Sequence, residues 1–171
     1  MLKWTAFVGI GAASIMAAGT VAQASVLRDQ EQIKQLVATE IAGGSEQNIE
    51  KTMSVYCNTP DVVLFESGPY VMRGYDNLKA AWAAYFKAFK KAEGSLIDLN
   101  VGTSGNLAYA FSRQQWKFTA PDGSVRQDEH RVTNVYRRVA GKWCMFHEND
   151  SVPSKIVEID EKAPKATKEA E

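Results

Sequence analysis

Residues 131–153 read RVTNVYRRVAGKWCMFHENDSVP and carry the strongest structural signal in the chain. Polar and apolar residues alternate on both sides of Ala140-Gly141, which predicts two antiparallel strands joined by a tight turn. A two-residue loop would need a left-handed backbone at Ala140, which alanine resists. We therefore expect a type I turn in which Gly141 forms the bulge.

This predicted register pairs Thr133 with His147 and Arg131 with Asn149, so that one face of the hairpin is polar. His147 is the sharpest catalytic candidate, because a neutral imidazole can take or give a proton near neutral pH. The alternative is a structural histidine satisfied by Thr133 or by a backbone group. Arg131 could bind a ligand carboxylate or neutralise a neighbouring acidic side chain.

Two acidic residues of the same hairpin, Glu148 and Asp150, are candidate general bases. Their alternative interpretation is a solvated strand end, where carboxylates are common. The sequence leaves both interpretations open.

The rest of the chain predicts an α+β arrangement of three helices, a short hairpin and a long meander. The expected N-caps of the three helices are Asp29, Ser45 and Asp76 in chain order. Residues 62–65 and 70–73 predict the short hairpin, and 95–101, 107–119, 124–139 and 142–151 predict the long strands. Aromatic residues recur at helical spacing in the third helix, which is typical of a core-facing stripe.

The first 24 residues predict a signal peptide. Lys3 supplies a positive start, an apolar run follows, and Ala22-Gln23-Ala24 offers a cleavage site after Ala24. A membrane anchor is the alternative, but several small residues interrupt the run. Cleavage leaves 147 of the 171 residues, which suits one domain at 25–154 followed by a charged tail at 155–171 that we expect to be disordered. We therefore expect a periplasmic or secreted protein.

The two cysteines, Cys57 and Cys144, leave two possibilities open. An oxidising compartment would permit a disulfide between them. Two buried free thiols are the alternative, since the sequence does not establish that the two side chains meet.

Charge and motifs exclude several classes of function. After cleavage the chain has 19 basic and 20 acidic side chains, with no basic stripe for nucleic acid and no polybasic segment for a membrane surface. The two histidines, His130 and His147, do not have metal-ligand spacing to each other or to the cysteines, so we expect no metal. No dinucleotide or phosphate-binding glycine motif is present, so we expect no cofactor.

The hairpin motif from Arg131 to Pro153 resembles the C-terminal hairpin of SnoaL-like domains in the nuclear-transport-factor-2-like, or ketosteroid-isomerase-like, superfamily. Tyr56 with the Asp-Val-Val-Leu-Phe run at 61–65, and Arg-Gly-Tyr-Asp at 73–76, resemble earlier parts of the same domain. The resemblance implies a cone in which three N-terminal helices pack on a curved, mostly antiparallel sheet. It also implies an internal apolar pocket and a homodimer formed through the sheet.

In such a cone, the resemblance implies pocket walls at Trp82, Tyr85, Phe86, Trp116 and Met145. Many SnoaL-like sequences have a second histidine two residues after the first, where this chain has Asn149, so His147 stands alone. The tyrosine and aspartate set of ketosteroid isomerases has no match here.

We therefore expect an exported protein that binds a small, largely apolar molecule and acts on it by proton transfer. His147 would be the acid or base, Arg131 and Thr133 would orient a polar group, and Asn149 and Tyr56 would contact the ligand. The alternative is a non-catalytic binding or oligomerisation module, by analogy with the association domains of some calmodulin-dependent kinases in this superfamily.

Overall fold

The computed structural model describes residues 12–67 and 69–154. The predicted tail at 155–171 and the start of the predicted signal segment at 1–11 lie outside these residues. Within the described part of the chain, no helix combines the length and apolarity needed to cross a lipid bilayer.

The described residues form three helices and six strands. The helices are α1 (Ala12–Glu46), α2 (Ile49–Met53) and α3 (Tyr75–Ala88). The strands are β1 (Val63–Phe65), β2 (Val71–Arg73), β3 (Lys91–Ser104), β4 (Leu107–Thr119), β5 (Val125–Val139) and β6 (Lys142–Ser151). The four long strands and the short hairpin confirm the predictions, because alternating side chains and turn residues specify strands locally.

The strands form one sheet in the order β2-β1-β6-β5-β4-β3, in which β1 and β6 are parallel and the other neighbours antiparallel. A buried cluster covers the inner face of the sheet and includes Ile33, Val37 and Ile41, which lie on one face of α1. Tyr136 and Met145 meet them from the sheet and are fully buried. The result is an α+β fold with a mostly antiparallel curved sheet.

The predicted helix starts are wrong at all three positions. Asp29 lies inside α1, where its carboxylate accepts a hydrogen bond from Arg138 at 2.5 Å. Asn48, and not Ser45, caps α2 by accepting from the Lys51 amide at 3.0 Å. The helix α3 begins at Tyr75 after Gly74, whose φ of 83° suits glycine. Asp29 is bound by a residue that is distant in sequence, and the starts of α2 and α3 lie one to three residues from the predicted caps. Local cap patterns contain neither kind of information.

The helix α1 continues through the glycine pair Gly43-Gly44. Both glycines allow a close approach that a side chain would block. A Cβ atom on Gly43 would lie 2.6 Å from Thr52 Oγ1, and one on Gly44 would lie 2.7 Å from the Trp116 ring. These glycines therefore serve packing, and helix termination falls at Gln47, which has a φ of 51°.

The turn between β5 and β6 also differs from the prediction. It is a two-residue loop, with φ of 48° at Ala140 and 79° at Gly141, between the paired residues Val139 and Lys142. The left-handed conformation of an alanine costs roughly 1 kcal/mol. This loop type matches the twist of the adjoining strands, which offsets that cost.

A bulge at Phe146 then shifts the register, so that His147 pairs with Val135 and Asn149 pairs with Thr133. The predicted pairs Thr133–His147 and Arg131–Asn149 are therefore wrong by two residues. A shift of two residues keeps side chains on the same face. The four residues consequently share one face, as expected, although their partners differ.

Cys57 and Cys144 form a disulfide across 87 residues of sequence. Beside it, the Cys57 amide donates to the Met145 carbonyl at 2.8 Å, and the Met145 amide donates to the Val55 carbonyl at 2.8 Å. The structure thus selects the paired state from the two possibilities that the sequence left open. The disulfide crosslinks the segment after α2 to β6.

We predict that replacing both cysteines by alanine lowers the free energy of unfolding by about 2–4 kcal/mol, because the crosslink restricts the unfolded chain. Urea denaturation of the two proteins measures the difference. Dithiothreitol should destabilise the wild type and leave the double variant unchanged. Equal stability of wild type and double variant would contradict the crosslink.

Candidate functional site

A cavity of about 570 Å³ lies between the inner face of the sheet and the helices. Its wall is contributed by α1, α3, the β1–β2 hairpin and strands β4 to β6. The lining residues are Glu40, Gly44, Glu66, Ser67, Tyr70, Met72, Ala81, Trp82, Ala84, Tyr85, Phe89, Gln114, Trp116, Phe118, Arg126, His130, Val132, Glu148 and Asp150. A volume of this size suits a small organic molecule.

Aromatic rings from α3 and β4 form the apolar part of the wall. Trp82 and Tyr85 meet edge to face at 5.6 Å, and Tyr85 meets Phe118 at 6.0 Å. Trp116 stacks on Phe118 at 5.8 Å. The helical spacing on α3 and the alternation on β4 place these rings on facing surfaces, so the predicted aromatic stripe forms a cavity wall as well as core.

Trp116 reaches this position because two glycines leave room for its ring. A Cβ atom on Gly44 of α1 would lie 2.7 Å from the ring, and one on Gly94 of β3 would lie 2.6 Å from it. The Trp116 indole N–H donates to Gln114 Oε1 at 2.9 Å. The ring is therefore held by packing and by a hydrogen bond on the same strand.

His130 and Asp150 form the main polar pair of the cavity. His130 Nδ1 lies 2.8 Å from Asp150 Oδ2 and 3.0 Å from Oδ1. The two side chains are only 6% and 12% exposed. His130 Nε2 is buried and has no hydrogen-bond partner among the described residues. Asp150 therefore orients the ring by one nitrogen and leaves the other available to a ligand.

A buried carboxyl group, Glu148, lies beside this pair on β6. Its Oε2 accepts hydrogen bonds from the Tyr56 hydroxyl and from the Asn134 amide, each at 3.1 Å. Burial, followed by the nearby charge of Glu40, raises the pKa of Glu148 well above its ordinary value. The proton-bearing acid is thus favoured inside the folded protein.

Two further carboxyl groups line the cavity. Burial raises the pKa of Glu40 on α1 to about 7, and the negative charges of Glu66 and Asp150 add to that shift. Burial and the charges of Glu148 and Asp150 raise the pKa of Glu66, which follows β1, to about 8. The cavity therefore combines aromatic walls with carboxyl groups that hold protons near neutral pH.

The structure places the predicted residues on two sides of the sheet. Trp82, Tyr85 and Trp116 line the cavity. Arg131, Thr133, His147 and Asn149 lie together on the opposite, outer face, where Arg131 and Asn149 are exposed and Thr133 and His147 half-buried. His147 Nδ1 lies 3.0 Å from the Val63 carbonyl oxygen, the backbone partner that its structural interpretation required.

The remaining predicted contacts lie behind the cavity wall. Met145 is fully buried in the core. Tyr56 does not line the cavity but donates to Glu148, which does. Phe86 packs against Trp82 with ring centroids 5.5 Å apart. These three side chains support lining residues, and their roles in ligand contact stay a prediction.

The sequence interpretation considered His130 only as a metal ligand and did not single out Glu40, Glu66 or Gln114. Alternation with Val132 and Tyr136 is a signal that could have placed His130 on the inner face. Glu148 and Asp150 were named as candidate bases. Their burial shows that they are not a solvated strand end.

Several solved structures of NTF2-like proteins share this fold. An NTF2-like superfamily protein from Salmonella enterica serovar Typhimurium LT2 superposes with a TM-score of 0.69 at 16% identity, covering 74% of this chain and 92% of that one. An NTF2-like protein of unknown function from Pseudomonas putida KT2440 superposes with a TM-score of 0.67 at 22% identity, covering 81% of this chain and 98% of that one. A Streptomyces avermitilis protein of the NTF2-like family, provisionally described as a dehydratase, superposes with a TM-score of 0.66 at 16% identity. The superposition covers 72% of this chain and 95% of that one.

The sequence profile of the SnoaL-like domain matches residues 33–155. The chain therefore belongs to the SnoaL-like domain family, which confirms the resemblance carried by the last hairpin. No curated protein matches the chain significantly.

We predict that the buried carboxyl of Glu40 makes folding less favourable as pH rises. The folded protein holds this proton more tightly than the unfolded chain, so the stabilisation is complete below pH 4.5 and is lost as pH rises toward 7. Replacing Glu40 by glutamine should reduce the decrease in the free energy of unfolding between pH 4.5 and 7 by on the order of 1–3 kcal/mol. Urea unfolding at several pH values measures it.

The matched control is Glu31→Gln, which changes an exposed carboxylate on the same helix. This variant should follow the pH dependence of the wild type. If Glu40→Gln also followed it, Glu40 would not be the titrating group.

Proposed function

We propose that this SnoaL-like protein binds a small, largely apolar molecule in the cavity and catalyses proton transfer on it. The observation that carries the proposal is the His130–Asp150 pair, with an unpartnered Nε2 atom at an aromatic cavity. An imidazole held in this way by a carboxylate is an effective acid or base.

The chemistry follows from the tautomer that Asp150 selects. Asp150 accepts the Nδ1–H bond of His130, so Nε2 bears the lone pair and takes a proton from an acidic C–H bond of the substrate. The electron pair stays on the substrate, and Asp150 stabilises the resulting imidazolium. The protonated carboxyl group of Glu148 is suited to donate a hydrogen bond to the developing anion.

Such a step serves either an isomerase or a dehydratase. Return of the proton to another atom completes an isomerisation, and departure of a hydroxyl group as water completes a dehydration. SnoaL-like and NTF2-like proteins include both kinds of reaction, and the Streptomyces avermitilis neighbour is provisionally described as a dehydratase. The apolar wall supports the choice, because exclusion of water strengthens charge interactions inside the site.

We predict that the protein accelerates the base-catalysed ring opening of 5-nitrobenzisoxazole, a neutral probe whose C–H bond breaks as its N–O bond opens. His130→Ala should lower kcat/KM about a hundredfold, because it removes the base. Release of the coloured phenolate measures the rate. Thermal unfolding by circular dichroism shows whether the variant remains folded.

His147→Ala is the matched control, since it makes the same change on the outer face of the sheet. It should keep the rate of the wild type. Loss of activity in His147→Ala with retention in His130→Ala would return catalysis to the outer cluster of His147, Arg131 and Thr133. A wild type no faster than buffer would favour the non-catalytic module.

The outer face of the sheet supports the proposal of a homodimer. Phe65, Tyr109 and Phe111 are exposed there, and the last two rings stack at 4.8 Å. Phe111 is 50% exposed, which is unfavourable for a large apolar ring in a monomer. Asn149 and Thr133 of the predicted polar cluster lie between Phe65 and Phe111 in the strand register and would form part of the same interface.

We predict that Phe111→Lys shifts the protein from dimer to monomer, because the lysines would have to be buried in a symmetric interface. Sedimentation velocity at several concentrations measures the assembly. Leu27→Lys, at an exposed site on α1, is the control and should remain dimeric. A wild type that sediments as a monomer would overturn the dimer.

We also propose that the protein is exported to the periplasm or secreted, with cleavage after Ala24. The disulfide supports this location, because such bonds persist in oxidising compartments. N-terminal sequencing of the protein from its own host would establish the cleavage site.

A further inference from the structure

The cavity wall carries an excess of acidic groups. Among the described residues it contains four carboxyl groups, from Glu40, Glu66, Glu148 and Asp150, and one guanidinium, from Arg126. That guanidinium is paired with Asp128 at 2.6 Å. When these carboxyl groups ionise, the wall attracts positive charge, because its guanidinium is already paired.

Of these carboxyl groups, Glu66 lacks an ion-pair partner among the described residues, and Glu40 has one oxygen atom without a hydrogen bond. Glu66 lines the cavity together with Glu148 and Asp150, and it has no ion pair with any residue of 12–67 or 69–154. Glu40, which is 8% exposed, has a buried Oε2 atom without a hydrogen bond. A buried carboxylate without a partner is unfavourable, and a ligand that supplies positive charge or hydrogen-bond donors would relieve that cost.

The aromatic residues near Glu66 add a second attraction for a cation. Burial raises the pKa of Tyr85, the negative charge of nearby Glu66 adds to that shift, and the Tyr85 ring forms an edge-to-face pair with Trp82. Aromatic faces attract ammonium groups, and the attraction strengthens in a site from which water is excluded. Aromatic rings next to a carboxylate are thus complementary to an organic cation.

The geometry favours an organic cation over a metal ion. No three His, Cys, Asp or Glu side chains in the described parts of the chain come close enough together to hold a metal. The cavity of about 570 Å³ is instead large enough for an organic molecule with a hydrocarbon body.

We propose that the ligand is an amine: its protonated nitrogen binds the Glu66 carboxylate beside Tyr85 and Trp82, and its apolar body occupies the rest of the aromatic cavity. This inference rests on the proposed function of the cavity as a small-molecule site and names the substrate class. The amine is a recognition group, and the proton transfer occurs at a different atom of the ligand, near His130.

Binding should depend on pH, because the ammonium group requires an ionised Glu66. Burial raises the pKa of Glu66 to about 8, so a cation must displace the proton of this carboxyl group at neutral pH. The groups that face it are Glu40 from α1, Tyr85 from α3, Arg126 and His130 from β5, and Glu148 and Asp150 from β6. Amine affinity should therefore rise between about pH 6 and pH 8.5, where an alkylamine remains protonated.

The test compares three probes of matched length: 4-phenylbutylamine, 4-phenylbutanol and 4-phenylbutanoate. Quenching of tryptophan fluorescence from Trp82 and Trp116 in the full chain, checked by calorimetry near pH 8, measures the three affinities. We expect the amine to bind roughly tenfold or more tightly than the alcohol, and the carboxylate to bind most weakly.

Glu66→Gln should reduce the affinity for the amine to that for the alcohol and leave the affinity for the alcohol unchanged. Glu50→Gln makes the same change at an exposed site on α2 and should alter neither affinity. Equal binding of amine and alcohol by the wild type, tighter binding of the carboxylate, or no binding of any probe would overturn the inference. The ring opening of 5-nitrobenzisoxazole uses a neutral probe, so its loss in His130→Ala would still support the proposed function in each of those cases.

Discussion

The register of β6 against its two neighbours is the constraint on which the rest of the molecule depends. The bulge at Phe146 reverses the alternation of the strand, so that Met145 and Glu148 both face inward although they are three residues apart. Without that extra residue, Glu148 and Asp150 would face outward and His147 would face the cavity. The parallel pairing of β1 with β6 then places Glu66 at the edge of the same cavity.

The burial of acidic side chains in this cavity makes the free energy of folding less favourable. Burial disfavours the ionised forms of Glu40 and Glu148, and hydrogen bonds from Tyr56 and Asn134 offset only part of that cost. The disulfide acts in the opposite direction, because it crosslinks Cys57, next to Tyr56, to the strand that carries Glu148. Stability and site geometry are thus linked through one short segment.

The fold was predicted far better from the sequence than the site was. Strand boundaries followed from alternation and turn residues, which act over a few positions and agree with the final structure at β4 and β6 to the residue. Helix starts failed because Asp29 and Ser45 bond to partners elsewhere in the chain: Arg138 in one case and the Gly94 amide in the other. Local patterns do not contain those partners.

In the candidate site too, local sequence patterns predicted some residues and missed others. Trp82, Tyr85 and Trp116 were predicted as walls and line the cavity, because bulky apolar side chains at helical or alternating spacing have one buried side to occupy. His130 was passed over in favour of His147. The alternation of His130 with Val132 and Tyr136 indicates an inward ring, whereas the bulge at Phe146 turns the His147 ring outward without a signal in the neighbouring residues.

The sequence by itself determined the α+β class, the order of the long strands and the membership of the SnoaL-like family, since all of these depend on periodicity and short motifs. The tertiary structure alone decided which face of the last hairpin meets the cavity and which histidine is paired with a carboxylate. The physical reason is that a single inserted residue in a strand inverts every side chain beyond it. Whether Phe146 forms a bulge depends on how β6 pairs with the neighbouring strands and packs against α1, and not on the sequence of β6 alone.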